Sequence, residues 1–296
     1  MDGNQPSVRT LRLIVAYDGS RYNGWQEQPG LPTIQGSMEQ ALEKFLGVKT
    51  RAVASGRTDA GVHAIGQVVS VETTARMPCN AFRMGLKTYL PEDIVVQDVQ
   101  DVPPGFHAQY DAIGKTYRYV IYNHQVDFPF LRGYSHWHRR KLDLAAMQAA
   151  TDVLLGTHDF RSFESQWPNK ASSVRTIYGA RWVERPLWDL WQANRDRETI
   201  PAAGESLQPS VLTLDISANG FLYNMVRSIV GTMIQVGRGK WSAEEVRAIL
   251  EAGDRRLAGE TAPPQGLYLL QVAYAPEWIR PGRLEWSCSE ATDLAE

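Results

Sequence analysis

The sequence predicts an α+β fold in two linked halves. Three observations predict it: stretches of strictly alternating apolar residues, amphipathic stretches opened by capping residues, and the order in which the two kinds follow one another. Residues 11–17 (LRLIVAY) alternate and are rich in β-branched and aromatic side chains, as a strand requires. A loop rich in glycine and proline follows. Thr33 is then placed to cap a helix through residue 46, with Ile34, Met38, Ala41, Leu42 and Phe45 on one face. A short strand is expected over 51–54 and a returning strand over 67–71 (QVVSV). Pro78 opens a second helix carrying Ala81, Phe82, Gly85, Leu86 and Tyr89, which Pro91 stops. Residues 94–102 form the next strand, ended by Pro103-Pro104. The order β-α-β-β-α-β is the ferredoxin-like arrangement.

A comparable order recurs downstream. Residues 115–122 (KTYRYVIY) are a strongly alternating strand, 142–155 a helix, 174–183 and 211–217 strands. Residues 219–237 contain a helix built on Phe221, Met225, Ile229 and Met233. A shorter helix spans 242–250 and a last strand 267–273. The expected organisation is one half over 8–103, a second over 104–279, and a polar, acidic, frayed tail over 280–296. Residues 185–210 mix tryptophans with charges and run into Pro, Ala, Gly and Ser, which reads as a long surface insertion between paired strands.

The composition bounds the class. Of 296 residues, 43% are hydrophobic and 22% charged, which suits a folded chain with an ample core and excludes a disordered one. The start MDGNQPSVRT lacks a basic run followed by an apolar stretch, so no signal peptide is expected. No apolar run approaches the ~20 residues that span a bilayer. Cys79 and Cys288 make no disulfide framework and no metal-ligand spacing, so a reducing, cytoplasmic setting is expected. Net charge is −2, with 16 Lys/Arg against 14 Asp/Glu in residues 1–150 and 15 against 19 afterwards. Binding of nucleic acid would therefore have to rest on a local basic face.

The chemistry concentrates in SGRTDAGVHA, residues 55–64, between two expected strands. Gly56 and Gly61 permit tight backbone geometry around Asp59. Arg57, two residues earlier, can project from the same side and favour the ionised carboxylate that nucleophilic work at a sugar carbon requires. The competing reading is a structural turn in which Asp59 accepts backbone N–H bonds. Tyr117 shares a strand face with Tyr119 and Ile121, which suits a core position as well as a stacking one. Arg227 sits among Phe221, Met225 and Ile229, so it either reaches solvent or is held by an acid, for which Asp59 is the natural candidate. His63 invites an acid–base role, but packing or an RNA contact suits it better. His136, His138, Arg139, Arg140 and Lys141, with Trp137 among them, form a basic and aromatic cluster that suits either a phosphate backbone or a solvated surface.

Five blocks in order carry a resemblance. They are SGRTDAGVHA; Phe106-His107-Ala108 with Lys115-Thr116-Tyr117-Arg118-Tyr119; GTHDFRSF (156–163) with Ser173-Val174-Arg175; NGFLYNMVR (219–227); and Gly266-Leu267-Tyr268-Leu269. Together they resemble the tRNA pseudouridine synthase A family over most of the chain. The resemblance implies a cofactor-free, metal-free isomerase with two ferredoxin-like halves around a central RNA-binding cleft. It further implies a homodimer acting on uridines 38, 39 and 40 of the tRNA anticodon stem-loop. It makes Asp59 the nucleophile and gives Arg57 a part in flipping the base. Tyr117 would stack on uracil, and Arg227 would pair with the aspartate. Phe106, His107 and Gln109 join Arg57 and Tyr117 as implied RNA contacts. Many relatives carry a basic residue where this chain has Gln109 or Gln125, so the RNA footprint is where it departs from the pattern. Two other classes fit parts of the sequence. A non-catalytic RNA-binding module needs no acid at 59, and a nucleoside hydrolase would want a second carboxylate that is not evident.

Overall fold

The computed structural model describes residues 7–165, 172–186 and 210–278. Most of the 185–210 insertion and the tail from 279 lie outside the described residues.

The elements follow in the order β1 (Arg9–Tyr17), α1 (Ile34–Leu46), β2 (Val53–Ala54), β3 (His63–Thr73), α2 (Cys79–Lys87), β4 (Ile94–Val102) and β5 (Ala112–Asn123). Then come β6 (His136–His138), α3 (Leu144–Asp152), β7 (Gly156–Asp159), β8 (Val174–Pro186), β9 (Ser210–Ala218), α4 (Met225–Gly237), α5 (Ala243–Ala252) and β10 (Leu267–Tyr274). The local signals explain the boundaries. The Thr33 side chain accepts from Gly36 N–H at the start of α1, and Gly47 closes it in the left-handed region. Ser242 and Glu245 make a reciprocal capping box at α5.

One mostly antiparallel sheet runs through the molecule in the order β4-β1-β3-β10-β5-β9-β8-β7, with β2 also on β3 and β6 on β5. Strands β1 to β4 stand fourth-first-third-second, and β10-β5-β9-β8 repeat that order. The two sets meet where β10 lies parallel to β3, at Tyr268 opposite His63 and Leu269 opposite Ala64. Odd-numbered residues of β1 (Leu11, Leu13, Val15, Tyr17) are buried with Ile34, Met38 and Leu42 of α1 and Phe82 and Leu86 of α2. In the second set, Tyr119 and Ile121 of β5 and Leu214 and Ile216 of β9 are buried with Met225, Ile229 and Met233 of α4.

Three local readings change. The strand expected over 67–71 begins at His63, because its first residues pair with Tyr17 and with β10. The helix expected over 142–155 covers only Leu144–Asp152, where Asp143 caps it. Within 219–237 the helix begins at Met225, because Asn224 adopts the left-handed region (φ 61°) and turns the chain into it. Strands β6 and β7 are too short to leave an alternation signal.

Candidate active site

Residues 55–62 cross from β2 to β3 as a strap whose backbone is held at nearly every step. Ser55 N–H donates to Val68 O (2.8 Å), and Ser55 Oγ to Gln67 Oε1 (2.7 Å). Gln67 Nε2 donates in turn to Gly56 O (2.9 Å), while Lys115 Nζ donates to Ser55 O (2.7 Å). Thr58 Oγ1 bonds the Tyr17 hydroxyl (2.8 Å), and Trp25 N–H donates to Thr58 O (3.0 Å). Gly24, at φ +85°, lies against this strap so closely that a Cβ there would fall 2.5 Å from Thr58 O. Tethers from β1, β3 and β5 thus fix the residues on the N-terminal side of Asp59, and Val62 N–H returns to Asp59 O (3.1 Å).

Facing Asp59 is the first turn of α4. Arg227 lies there with its Nε on Ala262 O (2.7 Å) and its Nη1 on Asn224 Oδ1 (2.8 Å). The same Nη1 stands 3.4 Å from Asp59 Oδ2, an ion pair at the long end of hydrogen-bond range. Both side chains are largely withdrawn from water, 22% exposed for Asp59 and 15% for Arg227. Of the two fates open to Arg227, the acid prevails over solvent. The positive end of the α4 dipole adds to the preference for a carboxylate there.

Tyr117 of β5 completes the group. Its ring meets Phe221 edge-on (centroids 5.1 Å apart, 84°) and is buried. Burial, then the nearby Tyr17 hydroxyl and Asp59, push its phenol well above the ordinary tyrosine range, so it stays protonated at neutral pH. Tyr17 is likewise pushed up to about 12 by burial. Burial and the neighbouring Arg175 bring Lys115 down to about 8. Among the described residues no group of three or more His, Cys, Asp or Glu could hold a metal ion.

A family model described as tRNA pseudouridine synthase matches residues 13–111 and 150–275. The chain belongs to that family. The tRNA pseudouridine synthases are isomerases, and curated relatives match nearly end to end. A protein of Acetivibrio thermocellus named tRNA pseudouridine synthase A is 40% identical over 267 residues, 90% of this chain and 100% of that one. One of the same name from Geobacillus kaustophilus is 41% identical over 273 residues, 92% and 97% of the two chains. Another from Chloroflexus aurantiacus is 40% identical over 284 residues, 93% and 94%.

Not every residue singled out from the synthase pattern gathers around Asp59. Arg57 is exposed, with no ion pair among the described residues. Phe106 is buried against Tyr274 and Trp278. His107 stacks on Tyr110, and Gln109 is exposed. Their segment is moored by Ala108 N–H to Ser70 Oγ (3.2 Å) and by the Tyr274 hydroxyl to Ala108 O (2.6 Å), at the part of β3 that pairs with β2. His63 is buried and stacked on Tyr268 at 4.8 Å. Its Nδ1 lies 3.1 Å from both Gly19 N–H and Asp18 Oδ1, and its Nε2 lies 3.1 Å from Gly133 O. Burial lowers its pKa in spite of Asp18, so the ring is a neutral packing element. A cavity of about 280 Å³ beside it includes neither Asp59 nor Arg227. Gln67, Lys115 and Asn224 hold the site yet escaped the sequence reading. The only signal was a polar residue at the head of an apolar strand for Gln67, and membership of quoted motifs for the other two. Among the described residues no helix is long and apolar enough to cross a membrane.

Proposed function

We propose that this chain isomerises uridine to pseudouridine at positions 38, 39 and 40 of the tRNA anticodon stem-loop, with Asp59 as nucleophile. The observation that carries this is the convergence of three sequence blocks on one carboxylate: Asp59 from the 55–62 strap, Arg227 from α4, and Tyr117 from β5. In the reaction the N1–C1′ bond breaks, the freed base turns, a C5–C1′ bond forms, and the C5 proton is exchanged for one on N1. Composition is unchanged and no cofactor is needed. The nucleotide must leave its stack first, at a cost of a few kcal/mol. Stacking on the Tyr117 ring returns ~1–3 kcal/mol of that. Arg227 keeps the carboxylate charged and aimed, while the exposed Arg57 is placed to enter the gap left by the base. The repeated fourth-first-third-second strand order supports two ferredoxin-like halves, divided near residue 103, with the cleft between them. We further propose a homodimer in the cytoplasm, on the family resemblance.

The test is tritium release from tRNA labelled with 5-³H-uridine. Wild type releases label, and Asp59→Asn releases none while keeping its circular dichroism and tRNA affinity. Release by the variant would remove Asp59 from its role. Binding without release by the wild type would make the chain a binding module.

A further inference from the structure

We propose a second RNA-binding surface, formed by residues 139–141 and 238–240 at the far end of α4, that takes phosphates of the tRNA backbone away from the nucleotide being modified. It rests on the tRNA reading above and extends it to a part of the molecule outside the cleft.

Arg139, Arg140, Lys141 and Lys240 are exposed and Arg238 is half-buried. Two short segments carry these five cations, and the fold pins both. The Asn123 side chain donates to His138 O (2.8 Å) and Arg140 O (2.6 Å) and accepts from Leu142 N–H (2.9 Å). Asp143 N–H donates to Gly237 O (2.9 Å), which ties this segment to the end of α4. Arg238 and Lys240 are held by their own N–H bonds to Ile234 O and Gln235 O. Burial lowers the pKa of the His138 ring, which the Arg140 carbonyl opposes and the Arg238 and Arg140 guanidiniums reinforce, so charge from both segments reaches the same ring.

Ordinary surface chemistry accounts for only part of this. Arg238 closes a helix, where a cation is favoured by the dipole. The others have no such reason. Of the exposed arginines elsewhere, some take neighbouring acids, as Arg132 does with Asp127, Arg161 with Asp159 and Arg256 with Asp254, and others, such as Arg51, Arg76 and Arg181, stand singly with no ion pair among the described residues. None of the five has an ion pair among the described residues. Two acids close by in sequence, Asp143 and Glu245, instead accept from Ala146 N–H and Ser242 N–H at helix starts. Like charges held together by specific hydrogen bonds, in a chain of net charge −2, fit a polyanion.

The helix also sets the distance. Arg227 pairs with Asp59 in the first turn of α4, and Arg238 follows eleven residues later, ~17 Å along the axis at ~1.5 Å per residue. One rigid rod therefore fixes the separation between the reacting nucleotide and the distal phosphates.

The experiment compares wild type with Arg139→Gln/Arg140→Gln/Lys141→Gln and with Arg238→Gln/Lys240→Gln. Affinity for full-length unmodified tRNA is followed from 50 to 200 mM salt, and tritium release is measured at saturating tRNA. Each lost phosphate contact should reduce the slope of log K against log salt by ~0.7–0.9. We expect KM to rise about tenfold or more at low salt in the triple variant, with kcat and melting temperature unchanged. Unchanged slope and KM in both variants would overturn the proposal. A loss of kcat at unchanged slope would also overturn it, by making these residues structural. The tRNA reading itself fails separately, if wild type releases no label.

Discussion

At the residue scale, the site keeps charges where water is scarce. Asp59 and Arg227 share a largely buried pair, which is costly unless each has further partners. Arg227 has them in Ala262 O and Asn224 Oδ1. Lys115 is the more exacting case. Its ammonium is buried beside Arg175 and holds Ser55 O, and its pKa falls to about 8 from the ordinary 10.5. Between those values the unfolded chain binds a proton that the folded chain does not, so stability rises with pH across that window. The penalty is fully present below pH 8 and is relieved above it. Urea midpoints at pH 7.5 and 9.5 should therefore show wild type gaining on Lys115→Met as pH rises. Equal changes in the two proteins would show that Lys115 is not strained. Nothing local in KTYRYVIY foretold this, because Ser55 reaches Lys115 only through the fold.

At the element scale, α4 joins chemistry to packing. Its N-terminal turn presents Arg227, and its middle touches residues 259–262 backbone to backbone. A Cβ at Gly231 would lie 1.7 Å from Glu260 O. That approach lets Ala262 N–H reach Arg227 O and Gly259 N–H reach Thr232 Oγ1. Alanine is the better helix former by ~1 kcal/mol, so propensity predicts that Gly231→Ala stabilises. The contact predicts the reverse, since overpacking costs ~1–3 kcal/mol. We expect a lower melting temperature and a larger fall in turnover, because Ala262 O is what steadies the Arg227 guanidinium. A variant as stable as wild type would refute the close approach. The helix starts were legible at Thr33 and Ser242, where a side chain does the capping, and were read two residues early at α3, which Asp143 caps. The start of α4 was not, because Asn224 sets it by a backbone turn.

At the scale of the whole molecule, one sheet and one hydrophobic core run through both strand sets, from Leu11 to Tyr274. The Asp59 strap belongs to the first set, while Lys115, Tyr117 and Arg227 belong to the second. Opening the β3–β10 junction would dismantle the site. Unfolding in urea should accordingly be a single transition, with tryptophan fluorescence and far-ultraviolet circular dichroism coinciding. Separate midpoints would show that the two sets unfold independently.

The sequence by itself determined the α+β class, the order of the principal elements, the capped helix starts, and the five blocks that place the chain in its family. These are local properties, written in periodicity, capping chemistry and motif. Only the tertiary structure decided that Asp59 meets Arg227, that Gln67 and Lys115 hold the strap carrying Asp59, and that Phe106 and His63 are buried against other rings. It also decided that 139–141 and 238–240 share one surface. Each of these depends on strand register or on the length of a helix. A pairing across 168 residues, such as Arg227 with Asp59, leaves no trace in the local pattern of either partner.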